Sequence, residues 1–259
     1  MPLTRSLLFC CVALGGASLR AQSVSALLAT GDTLTLALRP DLALERYAAA
    51  AALDSTLYPA LWKAGRAAVD VAKQIEDEDP RSRVARDSLY QLARGYAERA
   101  IRADSTDADG HFVLALALGR LALTRGGRER VRFGQIVYRQ AARAIALRPG
   151  HDGAHHILGA WHAEAKRLSA VERFFARLLL GAGFLSIASW DSAVAHLTRA
   201  VELDPRYIYH RLELAEVYVD LKRYQDARQQ LAPIAQLPDT DVMDPRYRTR
   251  AAALLRKIR

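Results

Sequence analysis

The chain has 259 residues, of which 51% are hydrophobic and 25% charged, and its formal net charge is +9. Its two cysteines are Cys10 and Cys11, so the chain beyond them has no thiol for a disulfide, a thiolate metal site or a cysteine nucleophile. The basic side chains are scattered among Asp and Glu, whereas a nucleic-acid partner needs a clustered basic patch, so no nucleic-acid partner is predicted.

The first 21 residues have the layout of a secretory signal peptide. Arg5 provides a positive charge, residues 6–17 are uncharged, and the apolar run among them is too short to span a bilayer. Leu19 stands where a small residue is preferred, so cleavage a few residues earlier, an uncleaved anchor and a transit peptide are alternatives. We predict a signal peptide over residues 1–21, a mature domain over residues 22–259, and a periplasmic or secreted bacterial protein.

The mature chain has the pattern of amphipathic helices. Apolar residues recur at three- and four-residue spacing, and no convincing run of alternating Val, Ile and Thr indicates a sheet. Four alanine-rich segments end in similar turns, and we interpret each as the second helix of a helical hairpin. They are Asp41–Ser55, Leu89–Ser105, Val137–Pro149 and Trp190–Pro205. The sequence predicts an all-α fold, an α-solenoid of tetratricopeptide-like hairpins.

The first helices lie between these segments, and small residues mark where the two helices of a hairpin approach. The consensus of tetratricopeptide repeats aligns Gly159 with Ala193 and Gly65 with Ala93 as close contacts. Both spacings exceed that of the consensus, which indicates inserted residues inside the hairpins. At the end of the chain, Asp244 followed by proline is typical of a helix start. We predict a capping helix there, with the polar outer face that a terminal repeat needs.

Several stretches resemble the regulator of microtubule dynamics family beyond the generic repeat. The order of the insertions is also similar, and the resemblance covers roughly residues 40–258. The matching stretches are 61–68 (LWKAGRAA), 96–101 (YAERAI), 110–112 (GHF), 155–161 (HHILGAW), Val171–Leu180 and Trp190–Pro205. The resemblance implies a helical repeat scaffold whose animal members associate with microtubules or mitochondria. The predicted export would separate this chain from any cytoskeleton, so the fold carries over better than the partner.

We predict a non-catalytic scaffold, without a cofactor, that binds a protein or peptide partner in its concave groove. The motifs of serine hydrolases, P-loops and dinucleotide-binding domains are absent from the sequence, and so is a cluster of Lys and Asn that would clamp a terminal carboxylate. An aromatic anchor in the groove can supply a few kcal/mol of binding energy. The predicted groove residues, taken from the first helices, are Trp62, Arg66, Phe112, Leu116, His156, Tyr209, Leu212 and Glu216.

The inserted segment 167–180 has a wide apolar stripe that needs a cover. Its central apolar side chains include Phe174, Phe175, Leu178 and Leu179. The segment either folds back into the groove of its own solenoid, or binds a partner helix, or lies on a membrane surface. A peripheral membrane adaptor is therefore the first alternative function.

A second alternative is an enzyme or a metalloprotein that uses the histidines of residues 151–162. These are His151, His155, His156 and His162. His155 and His162 fall at consensus packing positions, and no zinc-binding motif completes the set. Structural packing is therefore the predicted role of these rings.

Overall fold

A computed structural model of the protein describes residues 22–76, 79–169, 172 and 181–258. These residues form eleven α-helices, two short 3-10 helices (Gly183–Ile187 and Ala232–Gln236) and no strand, which confirms the all-α prediction. The α-helices are α1 (residues 22–36), α2 (Pro40–Leu53), α3 (Tyr58–Ala72), α4 (Pro80–Ala103), α5 (Ala108–Thr124), α6 (Gly127–Leu147), α7 (Asp152–Arg167), α8 (Trp190–Leu203), α9 (Ile208–Asp220), α10 (Tyr224–Leu231) and α11 (Asp244–Lys257). The predicted signal peptide and the side chains Phe174, Phe175, Leu178 and Leu179 lie outside the described residues.

Helices α1 to α10 pair in sequence into hairpins, and α2, α4, α6 and α8 are the four predicted second helices. The turns after α2, α4 and α8 are built alike. Asp54, Asp104 and Asp204 follow these helices, and each carboxylate accepts a hydrogen bond from the backbone N–H two residues later. Such side-chain bonds compete with the helical ladder and fix a turn. This chemistry explains why the hairpin repeat is readable from the sequence.

The inserted residues of two hairpins lengthen their second helices. Helices α4 and α6 have 24 and 21 residues, against 14 in both α2 and α8. Asp79 starts α4 early, because its carboxylate accepts hydrogen bonds from the N–H groups of Arg81 and Ser82. The insertion after α7 does not lengthen α8, which begins at Trp190.

Two glycines set the distance between paired helices. A Cβ atom on Gly159 would lie 2.5 Å from Leu197 Cγ and 3.1 Å from the Ala193 carbonyl oxygen. A Cβ atom on Gly65 would lie 3.1 Å from the Ala93 carbonyl oxygen. These contacts confirm both predicted pairs. Alanines with no exposed surface fill the seams around them, including Ala64, Ala93, Ala97, Ala141, Ala144, Ala193 and Ala200.

The C-terminal segment closes the solenoid onto its second hairpin. Lys73, just after α3, places its Nζ 2.7 Å from Oδ2 of Asp241, just before α11. Arg246 Nη2 of α11 lies 2.6 Å from Glu76 Oε1. The predicted capping helix is confirmed in position, but its arginines do not simply face solvent. Helix α11 also joins two hairpins that are far apart in the sequence.

Candidate functional site

The first helices of successive hairpins line one cavity of about 800 Å³, which we call the groove. Helices α3, α5, α7 and α9 all contribute to it. Five of the predicted groove residues are among its lining: Arg66, Phe112, Leu116, His156 and Tyr209. Much of the remaining surface is apolar, with Ile157, Trp161 and Phe184 as its larger members. The structure thus brings together residues that lie as far apart in the sequence as α3 and α9.

Three predicted residues, Trp62, Leu212 and Glu216, do not line this cavity. Leu212 is fully buried in the core around α8 to α11. Trp62 packs against the hydrophobic clusters of the N-terminal hairpins. Glu216 does not line the groove, and its Oε2 lies 2.6 Å from Arg250 Nη2 of α11. On α9 the residues that line the groove are the predicted Tyr209 together with His210 and Glu213.

Helices α5 and α7 contribute longer stripes than the sequence analysis assigned to them. On α7 the groove residues His156, Ala160 and Glu164 follow each other at four-residue spacing. On α5 the same spacing leads from Leu116 to Arg120, one of the residues that the sequence analysis missed. Residues four apart share one helix face. Extending this spacing from the predicted positions would have found Arg120, Ala160, Glu164 and Glu213.

The groove is electrically polarised. Three of its four basic side chains, Arg66, Lys73 and Arg120, come from α3, α5 and the turn after α3, and the fourth is Arg130 of α6. Among the described residues its acidic side chains come from α7, α9, the end of α8 and the inserted segment, and they are Asp152, Glu164, Glu213, Asp204 and Glu172. Opposite charges on facing walls orient a bound chain as well as attract it.

A second cavity of about 400 Å³ adjoins the groove, and we call it the cationic cavity. Lys73, Leu123, Arg120 and Tyr209 line both spaces. Among the described residues that line the cationic cavity, none is acidic. Its polar lining is Lys73, Arg86, Arg120, Arg250, Thr124, Tyr90, Tyr209 and Tyr247. The sequence analysis missed this feature because its basic residues come from four separate segments.

A buried ion-pair network lies at the end of the groove where Lys73 enters both cavities. Asp241 is 3% exposed at its side chain, and its Oδ2 accepts a hydrogen bond of 2.6 Å from the Tyr207 hydroxyl. Burial alone would raise the pKa of Asp241, but Lys73 and Arg66 outweigh burial and hold this pKa well below its usual range. Asp241 is therefore a buried carboxylate in its charged form.

Two glutamates, the buried Glu213 and the partly buried Glu216, lie one turn apart on α9. Burial, followed by the charge of Glu213, raises the pKa of Glu216 to about 7, although Arg250 opposes this shift. Each carboxylate already has an arginine partner. Glu216 pairs with Arg250, and Glu213 Oε1 lies 3.4 Å from Arg167 Nη1. This arrangement suits an interhelical tie better than a free acid–base pair.

The histidines form two ring-to-ring hydrogen bonds. His155 Nδ1 lies 3.0 Å from His196 Nδ1, and His156 Nδ1 lies 3.1 Å from His210 Nδ1. Each bond needs one protonated and one unprotonated nitrogen, so a pair with two charged rings cannot keep it. No three metal-binding side chains come together within the described ranges. His155 and His162 are buried, as packing residues would be.

These pairs predict that acid destabilises the protein. Burial, and then the charges of His155 and His162, lower the pKa of His196 to about 4, against an ordinary value of about 6.5. The unfolded chain then binds more protons than the folded one, so this contribution is complete above about pH 6.5 and is lost as the pH falls towards about 4. We expect a loss of roughly 1–2 kcal/mol from this ring, reduced from the full shift because His196 keeps partial access to water.

Urea denaturation at a series of pH values measures this loss. The variant His196→Phe removes the ring that titrates and should show a shallower dependence of the unfolding free energy on pH. An equal slope in both proteins would contradict the assignment.

The amino-acid sequence is similar to one known protein family and to several of its members. The family described as regulator of microtubule dynamics protein 1-3 matches residues 27–259. Regulator of microtubule dynamics protein 3 of Xenopus laevis is 26% identical over 185 residues, which cover 71% of this chain and 38% of the relative. The protein of the same name from Rattus norvegicus is 26% identical over 180 residues, covering 69% and 37%. The chain therefore spans less than half the length of these relatives.

Solved structures support the fold. A thermophilic TPR protein of Thermus thermophilus has a TM-score of 0.63 at 21% identity, covering 90% of this chain and 98% of that protein. The pilF protein of Pseudomonas aeruginosa has a TM-score of 0.54 at 14% identity, covering 92% and 88%. Among the described helices, none combines the length and the apolar character that crossing a membrane requires. With a family match across nearly the whole described chain, this protein belongs to the regulator of microtubule dynamics protein 1-3 family.

Proposed function

We propose that this protein is a non-catalytic scaffold that binds a peptide segment of a partner protein in the groove. The observation that carries the proposal is a cavity of about 800 Å³ whose walls come from the first helices of four hairpins and from the second helix α6. Its centre is apolar and its two sides carry opposite charges. Such a surface offers buried area for side-chain anchors and charges that fix direction.

The groove has the composition expected of a peptide site. Phe112, Ile157 and Trp161 provide rigid apolar contacts, while Arg66 and Glu164 provide charges on different helices. The ends of the inserted segment also reach this space, since Leu168, Glu172 and Phe184 line it. A partner peptide would therefore contact both the repeat helices and the edges of the insertion.

The catalytic alternative has one observation in its favour, the pair Glu213 and Glu216. Both carboxylates are held by arginines, and Glu216 does not line the groove. A general acid or base must reach the proton that it transfers. We therefore propose a structural role for this pair and assign no reaction to the groove.

Filling the groove tests the proposal directly. Ala160 lies on the groove face of α7, and Ala160→Trp would place an indole into the cavity without changing charge. Partners are captured by photo-crosslinking to the mature chain, and their affinity is then measured with purified components. We expect Ala160→Trp to weaken binding at least about tenfold.

The matched control is Ala52→Trp, the same change at an exposed position of α2. This variant should bind like the wild type. A partner that binds wild type and Ala160→Trp equally well would show that binding takes place elsewhere.

The compartment and the membrane role also stay proposals. We propose export of the chain, on the strength of the signal-peptide pattern in residues 1–21. Export would separate it from tubulin, so the partner proposed for the groove is an exported protein rather than a microtubule.

A liposome flotation assay with the mature chain tests the alternative that segment 167–180 binds a membrane surface. Absence of lipid binding would contradict that alternative.

A further inference from the structure

We propose that the cationic cavity receives an acidic side chain of the partner peptide, so that the protein selects peptides by a carboxylate next to an apolar stretch. This inference rests on the proposed peptide-binding function of the groove. The occupant follows from charge complementarity and from the way the two cavities join.

Arg120 is the cation that most needs a partner. It lines both cavities, and within the described part of the chain its electrostatic partners are tyrosines rather than carboxylates. Its guanidinium lies 5.9 Å from the centre of the Tyr209 ring. Burial raises the pKa of Tyr209 and Tyr247, so both phenols stay neutral near pH 7 and cannot balance the arginine. Arg120 is partly buried, and a cation held partly out of water without an anion is costly, so a bound carboxylate would lower that cost.

The neighbouring cations add to the same field. Arg250 pairs with Glu216, but burial and the charge of Glu213 raise the pKa of Glu216 to about 7. Glu216 is then only partly ionised near neutral pH, and it neutralises Arg250 incompletely. Lys73 forms ion pairs with Asp241 and Asp70, so it lines the cavity without adding uncompensated positive charge. The excess positive charge therefore lies around Arg120 and Arg250.

The connection to the groove identifies the occupant. Because Leu123, Arg120 and Tyr209 line both spaces, a chain in the groove can extend a side chain into the cationic cavity. Tyr90 and Tyr247 also line that cavity, and a phenolic hydroxyl can donate a hydrogen bond to a carboxylate oxygen. Hydrogen bonds to a charged acceptor are stronger than neutral ones. An Asp or Glu beside apolar residues matches this surface in charge, size and donor supply.

Selection from random peptide libraries tests this proposal. One library has amidated C-termini, so that carboxylates come only from side chains, and a second library has free C-termini. We expect the wild type to select peptides enriched in Asp or Glu from the amidated library. Selected peptides should bind Arg120→Gln about 10- to 100-fold more weakly, as expected for the loss of one charged hydrogen-bonding partner. Arg120→Lys keeps the charge and should retain the acidic preference.

The control is Arg139→Gln, the same change at an exposed residue of α6 that lines neither the groove nor the cationic cavity. It should bind the selected peptides like the wild type, and urea denaturation shows that each variant is folded. Peptides without acidic enrichment, or with equal affinity for Arg120→Gln, would overturn the inference and leave groove binding intact. Binders found only in the library with free C-termini would also overturn the inference, because the cavity would then bind the terminal carboxylate rather than an acidic side chain. Absence of any binder would overturn the proposed function itself.

Discussion

Replacing Gly159 with leucine is expected to lower the free energy of unfolding by roughly 3 kcal/mol or more. A Cβ atom at this position would already lie 2.5 Å from Leu197 Cγ and 3.0 Å from the Leu197 backbone nitrogen. The second of these contacts is with backbone, so rotation of a side chain cannot relieve it. The two helices of the hairpin would have to separate, and the seam of alanines beside them would lose its contacts.

A pair of alanine variants isolates the steric cost. Gly95 lies inside α4, and a Cβ atom there would meet nothing within 4 Å. Both substitutions gain the same helix propensity, about 1 kcal/mol. We expect Gly95→Ala to stabilise the protein and Gly159→Ala to destabilise it, as measured by urea denaturation. A stabilising Gly159→Ala would contradict the register assigned to the hairpin of α7 and α8.

Asp241→Asn is expected to lower the free energy of unfolding by about 3 kcal/mol, because it removes the negative charge from a buried ion pair. The substitution keeps the size of the side chain. Lys73 is only 6% exposed and would be left with Asp70 as its single carboxylate partner among the described residues. Since the Asp241 pair joins α11 to the second hairpin, faster hydrogen exchange in α11 is also expected.

The exposed ion pair Arg223–Asp226 provides the control. Its two side chains are 48% and 36% exposed, and Asp226→Asn should change stability by less than about 1 kcal/mol. The Asp241 contribution also has a defined pH range. The folded pKa lies below the unfolded value of about 3.9, so the contribution is complete above that pH and lost as the pH falls below it. If Asp241→Asn and Asp226→Asn changed the free energy of unfolding equally at pH 7, the contact between the C-terminal segment and the second hairpin would not stabilise the fold.

The repeat architecture was predictable because its signals are local. Asp54, Asp104 and Asp204 stop their helices through bonds to the backbone two residues away, and such turns are visible in the sequence. The small residues Gly159 and Ala193 mark a helix contact through volume alone. The consensus also states which helix face is concave, and five of the groove residues were predicted on that basis.

The differences from the sequence analysis have a physical reason too. Leu212 and Glu216 were assigned to the groove by consensus position, but Leu212 is fully buried in the core and Glu216 pairs with Arg250 of α11. The extent of helices α4 and α6 also differs from the predicted segments, because Asp79 and Gly126 begin them early. Consensus spacing does not specify rotation, and it does not indicate whether inserted residues join a helix or a loop.

The amino-acid sequence alone determined the all-helical hairpin repeat and its close helix contacts, because side-chain volume, capping and periodicity act between residues that are near in the chain. Only the tertiary structure decided how the ends meet. The contact between Lys73 and Asp241 spans most of the chain, and it depends on the summed rotations of every hairpin between them. The cationic cavity has the same origin, since Arg120 and Arg250 carry no mark in the sequence that they share one space.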